Sequence, residues 1–411
     1  MTMSRCVIVG GGPAAASAAG ALRAAGFDGS VTIVSAEDVP PYERPPLSKD
    51  FLTGATGAGE LQLHPRDWYT DLGVDLRLGT RVAAVDTAAH ALVLTGGERI
   101  GYDSALIATG GTARRLPGVD HDRVRYLRDL ADAGALAKRL ATGEPVIVLG
   151  GGFIGCEVAA SARKLGVDVT MLEMADHPLQ RVVGDEVGRI VAGIHRDHGV
   201  KLRMGETVQS VHAGDDGVLV TTDRGRLEGA TLVVAIGLVP STGLVARGEV
   251  ALDDVNGGIV VDGYCRTSAP EVYAAGDVAS HEHPRYGRRI RVEHHDNAIR
   301  QAAVAARNML GAQELYEDPH WFWSDQYEHS LQAIGRGDDC DRTVVRGSPA
   351  DRRFSVFSLS GGRVRGVFAL DRGADILAGK RLIRSAALVT PEQLADESVN
   401  LKRLAVDRSH R

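Results

Sequence analysis

Two stretches of the chain share one texture. CVIVGGGPAAASAAGAL at residues 6 to 22 and VIVLGGGFIGCEVAASA at 146 to 162 each run four apolar residues into three glycines and then into a train of small residues. An unbroken apolar run bounded by turn residues is the pattern of a strand buried on both faces of a parallel sheet. The small residues that follow suit a helix lying close to that sheet. A second strand-like run comes after each helix, Val31 to Val34 and Val169 to Leu172, which completes a strand–helix–strand unit in each copy. The echo continues downstream, where ALIATGG (105 to 111) and LVVAIGLVP (232 to 240) are both buried-type strands that end in glycine. The pattern predicts two sheets of one plan, related by duplication. HHDNAIRQAAVAARNML then reads as a helix with Asp296 as its N-cap. From Trp321 the period changes to two. RFSVFSLS (353 to 360) and RVRGVFAL (363 to 370) predict antiparallel strands, and ADILAGKRLIRSAALV (374 to 389) predicts an amphipathic helix.

Composition narrows this picture. A chain of 411 residues with 44% hydrophobic content is too long for one core and implies several domains. It contains no apolar run of the roughly 18 residues a membrane span needs, and MTMSRCVIVGGG lacks the regions of a signal peptide, so a cytoplasmic location is expected. A net charge of -6 gives no global attraction to nucleic acid or anionic membrane. The four cysteines, Cys6, Cys156, Cys265 and Cys340, are widely separated, which argues against a disulfide scaffold, a zinc ribbon or an internal redox dithiol. His281, His283, His294 and His295 cluster in sequence without supporting ligand spacing, and no metal is expected.

The glycines carry the chemistry. At a glycine turn that opens a helix, unpaired N–H groups and the positive dipole end converge on a pyrophosphate, and missing side chains let it approach the backbone. Gly10, Gly12 and Ala15 fill a G-x-G-x-x-A pattern and Gly150, Gly152 and Gly155 a G-x-G-x-x-G pattern. One match is a weak sign; two, each in strand–helix–strand context, point to two dinucleotide sites. Pro13 and Ala14 open the first helix, Phe153 and Ile154 the second, and Ala108, Thr109, Gly110, Ile236 and Gly237 end the later strands of the two copies. Glu173 ends the strand VTMLE, where an acidic side chain accepts the ribose 2′-OH and repels a 2′-phosphate. No arginine follows until Arg181, so NADH is expected over NADPH. In the first copy the strand runs into VSAED, leaving Ser35, Ala36 or Glu37 for the ribose, with Glu37 preferred.

GGGPAAASAA, RPPLSK, ATGG, YLR, GGGFIGCEVAA, VYAAGDVA, WFWSDQY and DESVNLK occur in an order and spacing that resemble, over essentially the whole chain, the ferredoxin reductases of bacterial cytochrome P450 and Rieske dioxygenase systems. The resemblance implies the glutathione reductase fold, an α/β architecture of two Rossmann-like dinucleotide-binding domains followed by a C-terminal α+β domain. FAD is then expected on a discontinuous domain of residues 1–112 and 244–320, NADH on 113–243, and the third domain spans 321–411. The resemblance also implies FAD contacts at Ala14, Lys49, Val82, Arg128 and Asp277; Arg44, Pro46, Gly276, Trp323 and His295 are further candidate FAD contacts, His295 standing where the family commonly has an aromatic or aliphatic residue. Where the family often has an acidic residue two beyond the second strand, this chain has Ala36.

Lys49 and Glu157 are the expected catalytic pair, Lys49 as a positive charge beside the flavin ring and Glu157 as its partner or as an orienter of the nicotinamide carboxamide. A first-turn glutamate complementing the helix dipole is the other reading of Glu157. NADH gives up a hydride and a [2Fe–2S] ferredoxin accepts one electron, so a flavin is needed to couple them. Trp321 and Trp323 are expected at the flavin edge where ferredoxin docks, with Arg288, Arg289, Lys380, Arg381, Lys402 and Arg403 as candidate basic contacts, and the protein is expected to be a monomer or weak dimer. Two alternatives stay open: a redox-sensing NADH-binding protein of the apoptosis-inducing-factor type, and an NADH oxidase or other acceptor reductase on the same fold.

Overall fold

The computed structural model describes residues 3–245 and 248–405. Two compact units are distinguished: Met1–Pro45, Gly57–Thr112 and Leu238–Asp318 form one, and Pro46–Thr56, Ala113–Gly237 and Pro319–Arg411 the other.

In the first unit, Arg5–Val9 is the centre of a five-stranded parallel sheet whose order is Val272–Ala274, Ser104–Ile107, Arg5–Val9, Ser30–Val34 and Val74–Arg77. The apolar run is a central strand because both its faces are covered, one of them by the helix Pro13–Ala24. That helix is rich in alanine, and Ala15, Ala18 and Ala19 share a core with Ala298, Ala302, Ala305 and Ala306 of the helix His295–Met309. Small side chains on both helices permit close approach, sealed by a hydrogen bond from Ser17 Oγ to the Ile299 carbonyl at 2.8 Å. The N-cap of His295–Met309 is His294, in extended conformation, rather than Asp296. Asp296 lies one residue inside the helix and is drawn to Arg300 one turn on, at 2.8 Å, so it complements the dipole instead of capping.

The second unit repeats the plan. Its parallel sheet runs Lys201–Met204, Val169–Glu173, Val146–Leu149, Thr231–Val234 and Val124–Arg125, again with the strand before the glycine turn in the middle. Each copy also carries a three-stranded antiparallel meander before its next central-neighbour strand, residues 82–101 in the first and 208–229 in the second. The duplication therefore reaches well past the glycine turns.

Also in this unit, residues 321–370 form a five-stranded antiparallel sheet in the order Trp321–Gln326, His329–Gly335, Arg363–Leu370, Arg353–Ser360 and Arg342–Ser348. The helix Gly373–Ser385 buries Ile376, Leu382 and Ile383 in the core of this part. It stops four residues short of the expected end, because Ala386 turns left-handed (φ 50°) and Val389 bonds back to the Gly362 carbonyl. Arg346 fastens the segment that follows: its guanidinium donates to the carbonyls of Leu394, Asp396, Glu397 and Val399.

Candidate functional site

The two glycine turns are built alike. Gly10 (φ 137°) and Gly150 (φ 108°) occupy backbone space that L side chains avoid, and a methyl on either would collide with a carbonyl, that of Ala108 or of Ala235. Each turn hangs from the neighbouring strand, Gly10 N–H on the Val34 carbonyl at 2.9 Å and Gly150 N–H on the Leu172 carbonyl at 2.8 Å. Gly12 and Gly152 are the helix N-caps, and no side chain caps either helix. A Cβ built on Gly152 meets nothing within 4 Å, and one on Gly12 meets only Arg44 Nε at 3.9 Å. Both turns thus fit a pyrophosphate: open at the second glycine, with first-turn N–H groups lacking side-chain partners. At the third position Gly155 packs on the Gly150 carbonyl, whereas Ala15 is fully buried in the first copy. Pro13 occupies the first helical position; Phe153 and Ile154 open the second helix, with Phe153 edge-on to Phe322 at 4.6 Å.

Around the first turn, Glu37 accepts hydrogen bonds from Tyr42 Oη at 2.6 Å and from Arg44 Nη2 at 2.5 Å. The carboxylate expected to meet a ribose is thereby tied to a guanidinium that faces the glycine turn, a link the sequence did not signal. Ser35, another of the ribose candidates, is buried where a methyl on Gly11 would strike its hydroxyl. Ala108, Thr109 and Gly110 follow the strand Ser104–Ile107, and Thr109 Oγ1 donates to the Ser241 carbonyl at 2.8 Å. Gly276 (φ 79°) sits against Ala14 and Ala298 and donates its N–H to Gln301 Oε1 at 2.9 Å, which brings the AAGD loop to the first helix. Asp277 is half-buried beside it, and the carbonyl of Asp277 accepts from Arg291 at 3.1 Å. His295 Nε2 meets Glu43 Oε2 at 3.1 Å; burial lowers the histidine pKa while Glu43 opposes the shift. Val82 starts the meander and packs against the second core cluster of this unit.

Around the second turn, Glu173 folds back over the glycines, its Oε2 accepting from Gly151 N–H at 2.6 Å and its Oε1 from Ala175 N–H at 2.9 Å. Arg181 reaches Glu173 Oε1 at 3.7 Å from an exposed position. Ile236 and Gly237 (φ 106°) follow the strand Thr231–Val234, and Gly237 accepts from Arg114 N–H at 2.9 Å. Arg128 stands just before Asp129, the N-cap of the helix Leu130–Leu140.

Residues 46–49 of the RPPLSK loop, the second glycine helix and WFWSDQY come together in this same unit. Pro45–Ser48 is a short 3₁₀ turn containing Pro46, and Lys49 caps the helical turn Asp50–Thr53. Lys49 Nζ lies 3.5 Å from Glu157 Oε1, 3.6 Å from Asp325 Oδ2 and 5.5 Å from the centre of the Trp323 ring. Trp323 in turn stacks on Trp321 at 4.9 Å. Glu157 is the fifth residue of its helix, beyond the first turn, so the dipole reading of this residue lapses. Its carboxylate is buried and accepts from Ser48 Oγ and, at 2.7 Å, from Ser324 Oγ. One turn further on, Ser161 Oγ donates to the Ser48 carbonyl at 2.7 Å, so one helix face grips the loop at two points. Burial raises the Glu157 pKa; the Lys49 charge and the two serine hydroxyls oppose it. Ser48, Ser324 and Asp325 were missed as site residues, although a serine within an aromatic-rich strand, buried between Trp323 and Asp325, is the kind of signal that marks a polar partner inside.

All four cysteines are unpaired, and Cys6, Cys156 and Cys265 are buried; burial pushes the Cys6 thiol up to about 12 and the other two higher. No cluster of ligand residues suited to a metal occurs among the described residues. No helix among them is long and apolar enough to cross a membrane.

Comparison with known proteins bears directly on this geometry. Residues 4–306 match the family described as pyridine nucleotide-disulphide oxidoreductase, and residues 321–405 match the reductase C-terminal family. The chain is 42% identical, over 98% of its length and 99% of the relative's, to the ferredoxin–NAD(+) reductase component of an anthranilate 1,2-dioxygenase system of Burkholderia cepacia. It is 37% identical to putidaredoxin reductase of Pseudomonas putida, over 97% of this chain and 96% of that one. Among solved structures, the covalent putidaredoxin reductase–putidaredoxin complex superimposes with a TM-score of 0.93 at 36% identity, covering 98% of both chains. With two glycine turns shaped for dinucleotides and no cysteine pair for disulfide chemistry, the chain belongs to the pyridine nucleotide-disulphide oxidoreductase family, in its branch of FAD-dependent ferredoxin–NAD(+) reductases.

Proposed function

We propose that this protein oxidises NADH and delivers the electrons singly to a [2Fe–2S] ferredoxin serving a cytochrome P450 or Rieske oxygenase. The observation that carries the reading is the Lys49–Glu157 pair, held on the second glycine helix in a chain without a redox dithiol. When bound, FAD supplies the coupling between a two-electron hydride donor and a one-electron acceptor. Gly10 and Gly12 let its pyrophosphate approach the Ala14 N–H behind Pro13, and Arg44, steadied by Glu37 and Tyr42, adds a positive charge at that turn. Asp277 accepts from the ribityl hydroxyls, and Lys49 presents its ammonium to the ring. On the second turn Gly150, Gly152 and Gly155 take the pyrophosphate of NADH and Glu173 its ribose hydroxyls. Residues 1–112 and 244–320 form the FAD domain, 113–243 the NADH domain and 321–411 the domain whose exposed Arg381, Lys402 and Arg403 meet the ferredoxin. The protein works in the cytoplasm as a monomer or weak dimer.

Cytochrome c reduction by NADH, with and without an added [2Fe–2S] ferredoxin, tests the proposal. A rate that rises in proportion to ferredoxin supports it. A rate independent of ferredoxin, matched by NADH-driven oxygen consumption, identifies an oxidase instead and overturns it.

A further inference from the structure

A line of polar side chains starts at Glu157 Oε1, the carboxylate oxygen that also faces Lys49. Ser324 Oγ, Gln326 and His195 continue it at 3.1 Å from Gln326 Nε2 to Ser324 Oγ and 3.1 Å from His195 Nε2 to Gln326 Oε1, and Tyr327 Oη ends it 2.9 Å from His195 Nδ1. Ser324, Gln326 and His195 are at most 1% exposed. His195 sits in the last turn of the helix Gln180–Asp197, and among the described residues its ring nitrogens bond to Gln326, on the strand Trp321–Gln326, and to Tyr327, the residue after it.

The proton positions along this line follow from one end. An ionised Glu157 only accepts, so Ser324 must spend its single O–H on Glu157 Oε1. Ser324 Oγ then accepts from the Gln326 amide nitrogen, which turns the Gln326 oxygen toward His195. That oxygen requires a proton on His195 Nε2, and Nδ1, left bare, accepts from Tyr327 Oη. Four donors therefore point the same way, and aligned hydrogen bonds in a dry interior strengthen one another. Burial supports the scheme by lowering the His195 pKa to about 4, so the ring stays neutral and has a single tautomer to choose. A protonated Glu157 could instead donate to Ser324, and the line would run backwards with the His195 proton on Nδ1.

We infer that His195, Gln326 and Ser324 are positioning residues for hydride transfer: their one-way hydrogen-bond line holds the Glu157 carboxylate ionised and aimed at Lys49. This rests on the reading of Lys49 and Glu157 as the flavin-side pair. The charged and titratable groups that face the line are few. Lys49 and Cys156 adjoin Glu157, with Asp325 on the other side of Lys49; His198, Tyr327 and Glu328 adjoin His195, and Cys156 and Arg163 also face Tyr327, with His198 stacked on Tyr327 at 3.6 Å and paired with Glu328 at 3.1 Å.

Two measurements test it without any ferredoxin, so they are independent of the acceptor. In the ¹⁵N spectrum of histidine-labelled protein at neutral pH, His195 is expected as the Nε2–H tautomer, and Ser324→Ala is expected to introduce the Nδ1–H form. Flavin reduction by NADH, followed across pH, is expected to show its carboxylate titration moved up by about one to two pKa units in Ser324→Ala, the loss of one hydrogen bond to a charged group. Ser324→Thr, which keeps the hydroxyl, restores the wild-type profile. An Nδ1–H tautomer in the wild type, or a Ser324→Ala profile that superimposes on the wild type, overturns the inference. Lys49→Met reports on the underlying reading: if it slows flavin reduction while Ser324→Ala changes nothing, only the relay fails; if it changes nothing either, the assignment of the pair fails with it.

Discussion

Replacing Lys49 by methionine keeps most of the side-chain volume and removes one charge. The Lys49 side chain is 13% exposed, and its ammonium has two carboxylate neighbours of unequal weight. Asp325 is half-exposed, so water screens its attraction at 3.6 Å and little is lost there. Glu157 is buried at 3.5 Å, and losing a charge-assisted contact to it costs about 1.5–3 kcal/mol. If that loss falls on the transition state, the rate drops about 10- to 150-fold, at about 1.4 kcal/mol per factor of ten. The pH dependence changes as well. Burial already holds the Glu157 pKa above its ordinary value, with Lys49 the foremost opposing influence, so the substitution raises it further. A raised carboxyl pKa means the unfolded chain releases its proton first, and stability is lost as pH climbs from the unfolded value through the folded one. Lys49→Met should therefore lose stability over a wider span of rising pH than the wild type. Loss of flavin absorbance on rapid mixing with NADH measures the first effect and thermal melts across pH the second. A wild-type reduction rate would remove Lys49 from the reaction.

Four further substitutions probe other parts of the molecule. Burial lowers the pKa of His281 to about 3, with His283 adding to the shift, so the unfolded state takes up a proton that the folded state refuses. Stability should fall by about 1.4 kcal/mol per pH unit for this one group as pH drops below about 6.5 toward the folded value; His281→Gln should flatten that slope in urea unfolding, and an unchanged slope would assign it elsewhere. Gly150→Ala, with its positive φ and its clash on the Ala235 carbonyl, should lower stability by roughly 1–3 kcal/mol. Gly152→Ala should leave the melting temperature alone and weaken NADH in calorimetry, because its methyl enters only the open side of the turn; equal melting temperatures for the two variants would refute the distinction. Arg346→Leu should cost about 3 kcal/mol in equilibrium unfolding, since Asp375 keeps Arg372 at 2.6 Å but the carbonyls of residues 394–399 lose their shared donor; a loss under 1 kcal/mol would show that apolar packing alone holds the segment.

The duplicated glycine turns were legible because their requirements are local: a positive φ, a close carbonyl and a capless helix start each demand glycine within a few residues. Alternation made the strands 353–360 and 363–370 equally plain. The end of the last long helix was not, because the apolar pattern runs on through Ala387 and Val389 while a left-handed Ala386 and the pairing of Val389 with Gly362 turn the chain aside. Nor was the N-cap at His294, where an aspartate two residues later has the better propensity and a competing arginine. The pairing of Lys49 with Glu157 spans more than a hundred positions and was reached through motif resemblance, not periodicity. Ser324, Gln326 and His195 went unnoticed for a related reason: each is ordinary alone, and their meaning lies in being dry neighbours, which only the folded chain reveals.

The fate of the thiols has a practical consequence. Three of the four are sealed in the interior with pKa values driven far above neutrality, leaving almost no thiolate for an electrophile to meet. Cys340, partly exposed between the strands His329–Gly335 and Arg342–Ser348, is then the natural attachment point for a single maleimide dye or spin label. The unaltered protein can in this way carry a reporter of its own docking and turnover, without first being stripped of cysteines.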